Sequence, residues 1–216
     1  MATEKVRSRR PVKVDQQTPE LVESSSDAQG WFTLGNSLGV LVALFGLVVG
    51  ARTLVDNSFL THLATGELIL DSGRVPSVDP YSRTAAGQPW TVQSWLASVL
   101  YAALNRLAGP VAIRLMHGLV GAAVAVGLWR LVAPAREPLA RLGLVLLPVA
   151  LGVGFWSPRP LMFGLLAMVV LLSVVQTNRA PWILIPLMWL WANSHGSFPL
   201  AFVLLGAVIA GSYLVR

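Results

Sequence analysis

A chain of 216 residues that is 55% hydrophobic and only 12% charged, with a mean hydropathy of +0.65, is not a soluble domain. Soluble domains carry charge on roughly a quarter of their residues. The formal charge of +6 therefore reads as cytoplasmic-loop and headgroup arginines rather than as a nucleic-acid surface, and the lack of cysteine excludes disulfides, thiol catalysis and cysteine-ligated metal.

In chain order, residues 1–32 are polar, mixed in charge and without period, and read as a disordered cytoplasmic tail rather than a signal peptide. The rest, 33–216, reads as one transmembrane module. Residues 33–55 are long enough to cross a bilayer. A polar, turn-rich loop follows over 56–92 and includes "GRVPSVDPYSRTAAGQPW" (73–90). The segment 93–109 is apolar but short and ends at Gly109-Pro110. Residues 111–133, 139–156, 160–176, 181–193 and 196–215 are further apolar runs, the last two separated by "NSHG". The expected class is all-α: a polytopic transmembrane helix bundle of about six or seven spans, with interfacial helices in a large first extracytoplasmic loop.

Orientation depends on whether 93–109 crosses. If it does not, Lys5, Arg7, Arg9, Arg10, Lys13, Arg130, Arg136, Arg141, Arg179 and Arg216 lie inside, 10 of the 16 basic residues. If it does, the division is 8 against 8. The bias of Lys and Arg toward the cytoplasm favours an interfacial or re-entrant 93–109 and a cytoplasmic N-terminus. The 56–92 loop, "SPRP" (157–160) and "NSHG" (193–196) then share the extracytoplasmic side. Polar backbone at membrane depth survives only where it is buried in protein or lines a wet cavity, so one outward-facing site is expected there.

Within that site, Asp56 is either a helix N-cap or a general base at the membrane face. His62 follows on the same segment. Asp79, before Pro80, is either a turn acid or a second catalytic carboxylate. Arg74 and Arg83 either bind an anion or neutralise Asp71 and Asp79. Arg159 stands between two prolines at a span boundary, where a charge is costly and tends to be functional or to snorkel to headgroups. Asn193 and His195 break an apolar run. Arg114 and His117 share a helix face, pointing into the bundle or toward the interface.

These residues resemble a bacterial family of polytopic membrane proteins of the GT-C glycosyltransferase type. The resemblance lies in an acid after the first span (Asp56), His62-x-x-Thr65-Gly66, then Gly73-x-Val75-Pro76-x-x-Asp79-Pro80-Tyr81-Ser82, Gly87-x-Pro89-Trp90 and Trp95-Leu96. Arg159-Pro160, Asn193, His195 and Gly196 continue it. Asn57 stands where the wider group carries a second acid, and Val92-Gln93-Ser94-Trp95-Leu96 lacks the His and Glu common before Trp-Leu.

The resemblance implies sugar transfer from a polyprenyl-phosphate donor to an envelope acceptor on the outer face of the bacterial cytoplasmic membrane. Asp56 and Asp79 would be catalytic. His62, Arg74, Arg83, Trp90, Arg159, Asn193 and His195 would bind substrate, with a divalent cation as an optional cofactor. Membrane lipid and the lipid-linked sugar are the expected partners, with nucleic acid excluded. Two other readings stand beside it: a non-catalytic envelope-assembly module completed by a protein partner, and a transporter of a lipid-linked or anionic substrate.

Overall fold

The computed structural model describes residues 33–54, 57–152, 154 and 156–214. The tail expected over 1–32 lies outside the described residues, and so does Asp56. The described elements are helical: α1 (Leu34–Gly50), α2 (Asn57–Ser72), α3 (Trp95–Leu131), α4 (Pro138–Gly152), α5 (Leu161–Thr177), α6 (Leu184–Ser194) and α7 (Leu200–Leu214). One 3-10 turn, Pro181–Ile183, leads into α6. Among the described residues extended pairing is limited to an isolated bridge between Val78 and Pro89.

The helix ends follow local chemistry. Gly73 leaves α2 at φ +65°, a backbone conformation that costs glycine least, and donates its N–H to the Ile69 carbonyl. Asn178 ends α5 in the left-handed region, at φ 49°.

The break inside α3 sets the architecture. Ala108 (φ −150°, ψ 25°) and Gly109 (φ 65°, ψ −160°) leave helical geometry, and Pro110 then opens a second helix without needing a backbone N–H. On one straight helix Tyr101 and His117 would stand about 24 Å apart. They are instead hydrogen-bonded at 3.0 Å, so the chain folds back at Ala108–Gly109. Residues 95–107 and 110–131 are the two arms of a hairpin. By length and composition α3 is the one described helix able to cross a membrane, the apolar helices α1, α4, α5 and α7 being shorter. The break divides that length, and the second arm alone still extends about 33 Å.

Packing pairs give the directions. Gly39 lies against Trp129, Gly46 against Gly121, and Gly50 against His117 and Gly118, so α1 and the second arm of α3 are antiparallel. A side chain on Gly46 would meet the Gly121 backbone, and these glycines let two backbones touch. His117 meets Phe163, Gly127 meets Val169, and Gln176 Nε2 donates to the Leu131 carbonyl at 2.9 Å, so α5 runs parallel to that arm. Between them α4 returns the chain. Its Arg141 donates to the Trp129 carbonyl at 2.7 Å and lies 4.1 Å over the Trp129 ring. The end of α6 meets the start of α5, where Gly164 faces Trp191, His195 and Ser197.

The expected short segments therefore appear as helices, and 93–109 supplies the first arm of the α3 hairpin. One end of the bundle gathers α2, residues 73–94, the Trp156–Pro160 turn and the 195–199 turn. The opposite end carries the α3–α4 and α5–α6 turns. The core comprises one cluster around Val42, Val124, Trp129, Val145 and Met162, another around Leu171 and Trp191, and a third of Phe59, Tyr101 and Ile113. Large apolar side chains cover the outside as well: Leu119, Ile185, Phe202 and Val203 are each more than half exposed.

Candidate functional site

A cavity of about 590 Å³ opens at the end that carries α2. Four elements supply its polar wall: Ser58, Thr61, His62 and Thr65 from α2, Trp90 to Ser94 from the approach to α3, Arg159 and Pro160 before α5, and His195 and Gly196 after α6. Positions far apart in sequence thus converge. Of the residues the sequence singled out, His62, Trp90, Arg159 and His195 share this one cavity. α5 starts at Leu161, which lines the same space, so the positive end of its helix dipole adds to the positive potential of Arg159.

Neighbours fix the protons of the two histidines. The Ser197 N–H donates to His195 Nδ1 at 3.1 Å, and the Ser197 hydroxyl lies 2.8 Å from the same nitrogen. Nδ1 is therefore an acceptor, and a neutral His195 carries its proton on Nε2. Ser197 Oγ is itself held by a hydrogen bond from Trp191 Nε1 at 3.0 Å. Burial in the α6–α7 turn lowers the His195 pKa and favours the neutral ring. His62 is set the other way. The single Ser98 hydroxyl proton goes to the Ser94 carbonyl at 3.1 Å, so the 3.1 Å bond to Ser98 Oγ requires His62 Nδ1–H to donate.

The polar loop is a miniature hairpin. Trp90 N–H donates to the Ser77 carbonyl and Asp79 N–H to the Gln88 carbonyl, each at 2.9 Å. The Asp79 carboxylate accepts from the backbone N–H groups of Tyr81 (2.8 Å) and Ser82 (3.1 Å). Hydrogen bonds from Ser82 and Tyr81 lower its pKa. Tyr81 then reaches α2, its hydroxyl donating to Thr65 Oγ1 at 3.1 Å, and meets the Trp90 ring edge-on at 5.8 Å. The loop's work is to hold Trp90 at the cavity wall.

Several expected site residues lie elsewhere. Asp79 is committed to its turn and does not line the cavity. Arg74 and Arg83 are exposed and also outside its lining, and Asp71 is paired not with them but with Arg106, at 2.5 Å, beside the Arg106–Glu67 pair at 2.7 Å. Asn193 acts as a clamp: its Oδ1 accepts from Trp95 Nε1 at 2.7 Å and its Nδ2 donates to the Trp189 carbonyl, also at 2.7 Å. His117 points into the bundle against Tyr101, while Arg114 turns out and donates to the Ala51 carbonyl at 3.0 Å. The sequence reading missed Thr61, Thr91 and Gln93 as wall residues. Gln93 presses on Gly196, where any side chain would collide with its amide, and the polar spacing of "TVQS" was the only signal for it.

A second cavity, of about 400 Å³, lies directly beside the first and is almost wholly apolar. Leu96, Ala97, Phe163, Ala167, Leu187 and Trp191 line it, so the same three elements that end in the polar wall continue as an apolar one. As for a divalent cation, no group of three or more potential ligand side chains occurs among the described residues. His62 and His195 alone are a poor donor set for a hard, oxygen-seeking cation, and no step is assigned to one. No protein-family model matches the chain, and neither curated proteins nor solved structures give a match.

Proposed function

We propose that this chain is a polytopic protein of the bacterial cytoplasmic membrane that transfers a sugar from a polyprenyl-phosphate donor to an envelope acceptor on the outer face. The observation that carries the reading is the adjacency of the two cavities. A lipid-linked phosphosugar is polar at one end and apolar at the other, and a polar cavity bearing Arg159 next to an apolar one suits both ends. The apolar outer surface and the length of α3 support a membrane setting, in which the α2 end faces outward.

In this mechanism Asp56 takes the proton of the acceptor hydroxyl. The freed oxygen pair bonds to the anomeric carbon as the bond from that carbon to the phosphate oxygen breaks. Polyprenyl phosphate leaves with that electron pair. Arg159 and the Nε2–H of His195 stabilise the charge on the departing phosphate, and Trp90 covers the sugar. His62, held by Ser98, orients the acceptor.

Binding of a radiolabelled polyprenyl-phosphate sugar to the purified chain tests this. A long isoprenoid donor should bind at least about tenfold more tightly than a one-isoprene analogue, since several buried methylene equivalents separate them. Ala167→Trp, which fills the apolar cavity, should erase the difference. Equal binding of both donors by the unaltered chain overturns the reading.

A further inference from the structure

At the opposite end of the bundle a groove of about 550 Å³ runs along the seam where the second arm of α3 packs against α5. Its upper wall is apolar, from Ala123, Val126, Leu166 and Val170, and its mouth carries Arg130. Other polar groups there are already used. Gln176 Nε2 covers the Leu131 carbonyl at 2.9 Å, and the Ser173 and Thr177 hydroxyls each donate at 2.7 Å to the carbonyl four residues earlier on their own helix. The surrounding turns add Arg136, Arg141 and Arg179 against a single acid, Glu137. Arg141 is occupied with Trp129, and of these arginines Arg130 is the one in the groove's lining.

We propose that this groove is a binding site for one anionic phospholipid of the facing leaflet, with its phosphate at Arg130 and an acyl chain along Ala123, Val126 and Val170. The charge excess at this end favours an anionic lipid over a zwitterionic one. An apolar trough with one cation at its mouth fits a phosphate-headed chain. The site rests on the membrane reading but not on sugar transfer, since none of its residues belongs to the polar cavity.

The test uses the full chain, extracted from carbonate-washed membranes in a mild detergent, delipidated and titrated with phosphatidylglycerol or phosphatidylcholine under native mass spectrometry. One phosphatidylglycerol should be retained in preference to phosphatidylcholine. Arg130→Gln should weaken that retention about fivefold, the effect of one arginine at an anionic surface. Val126→Trp should abolish it by filling the trough, and Arg136→Gln should leave it unchanged. Equal retention of the two lipids, or equal loss in the Arg130 and Arg136 variants, overturns the site. Absence of the chain from carbonate-washed membranes would defeat the membrane reading itself, and the site with it.

Discussion

Tyr101 and His117, sixteen residues apart and both fully buried, share a 3.0 Å hydrogen bond that closes the α3 hairpin. The pair is already imperfect, because His117 Nδ1 is buried without a hydrogen-bond partner. Tyr101→Phe strands the second ring nitrogen as well. The expected cost is about 1–3 kcal/mol, the desolvation penalty of a newly unpaired buried group. Tyr213→Phe, at an exposed site on α7, should change stability by less than about 0.5 kcal/mol. Unfolding of both variants in detergent checks the difference.

Gly66 seats α2 on the first arm of α3. A side chain there would collide with the Ser98 backbone carbonyl, and a helix backbone cannot step aside as a flexible side chain can. Gly66→Ala should destabilise the protein by about 1–3 kcal/mol. It should also disturb the His62–Ser98 bond one turn away. Gly143→Ala, where nothing lies within 4 Å of the added atom, should be neutral or slightly stabilising. Comparing the two melting midpoints separates the contact from simple helix propensity.

The turn at Asp79 makes a pH prediction. Its carboxylate is held below the usual range by hydrogen bonds to Ser82 and Tyr81. A lowered folded-state pKa means the turn is fully supported above the ordinary value of 3.8 and is lost as pH falls through the lower folded-state value. Hydrogen exchange of the Tyr81 and Ser82 amides, corrected for intrinsic rates, should show protection near neutrality that disappears in that acid window. Asp79→Ala should lose it at every pH, while Asp79→Asn, which keeps an acceptor oxygen, should retain part of it. Unchanged protection in Asp79→Ala would contradict the turn role.

Much of this arrangement is legible in the sequence because membrane-like helices announce their own limits. Gly109-Pro110 marked the α3 break, and "SPRP" and "NSHG" marked two of the cavity walls, since polar residues interrupt apolar runs only for a reason. Arg159 and His195 stood out that way, while His62 and Trp90 came from the polar loop and the resemblance it carries; all four line the polar cavity. Asp79, Arg74 and Arg83 stand outside the cavity lining, Asp79 in the turn role that was one of its two readings: a turn consumes a carboxylate as readily as a mechanism does. Asn193 was assigned to substrate because nothing in its neighbourhood names Trp95, 98 residues away, as its partner. Neutral wall residues such as Thr61 and Thr65 carry little signal of their own, and only the packing of four elements brings them together.

The proposed orientation, with the α2 end outward, makes a prediction about sidedness. The chain has no cysteine, so single cysteines report without background. Arg83→Cys and Ser77→Cys, on the α2 side, should react in intact cells with a membrane-impermeant thiol reagent. Arg136→Cys and Arg179→Cys, at the opposite end, should react only after the membrane is opened. Labelling of all four in intact cells would contradict a bundle whose two ends face different compartments.

Sugar transfer at the cavity that holds Arg159 and His195, as proposed, is tested by incorporation of radiolabelled sugar from polyprenyl-phosphate donors by membranes containing the chain. The unaltered protein should incorporate sugar, and Asp56→Asn should lose incorporation at equal expression. Arg159→Gln should reduce it by about 10²-fold or more, the effect of removing one donor from a developing anion. Arg74→Gln, away from the cavity, should remain active. Incorporation that persists undiminished in both Asp56→Asn and Arg159→Gln would contradict the proposal.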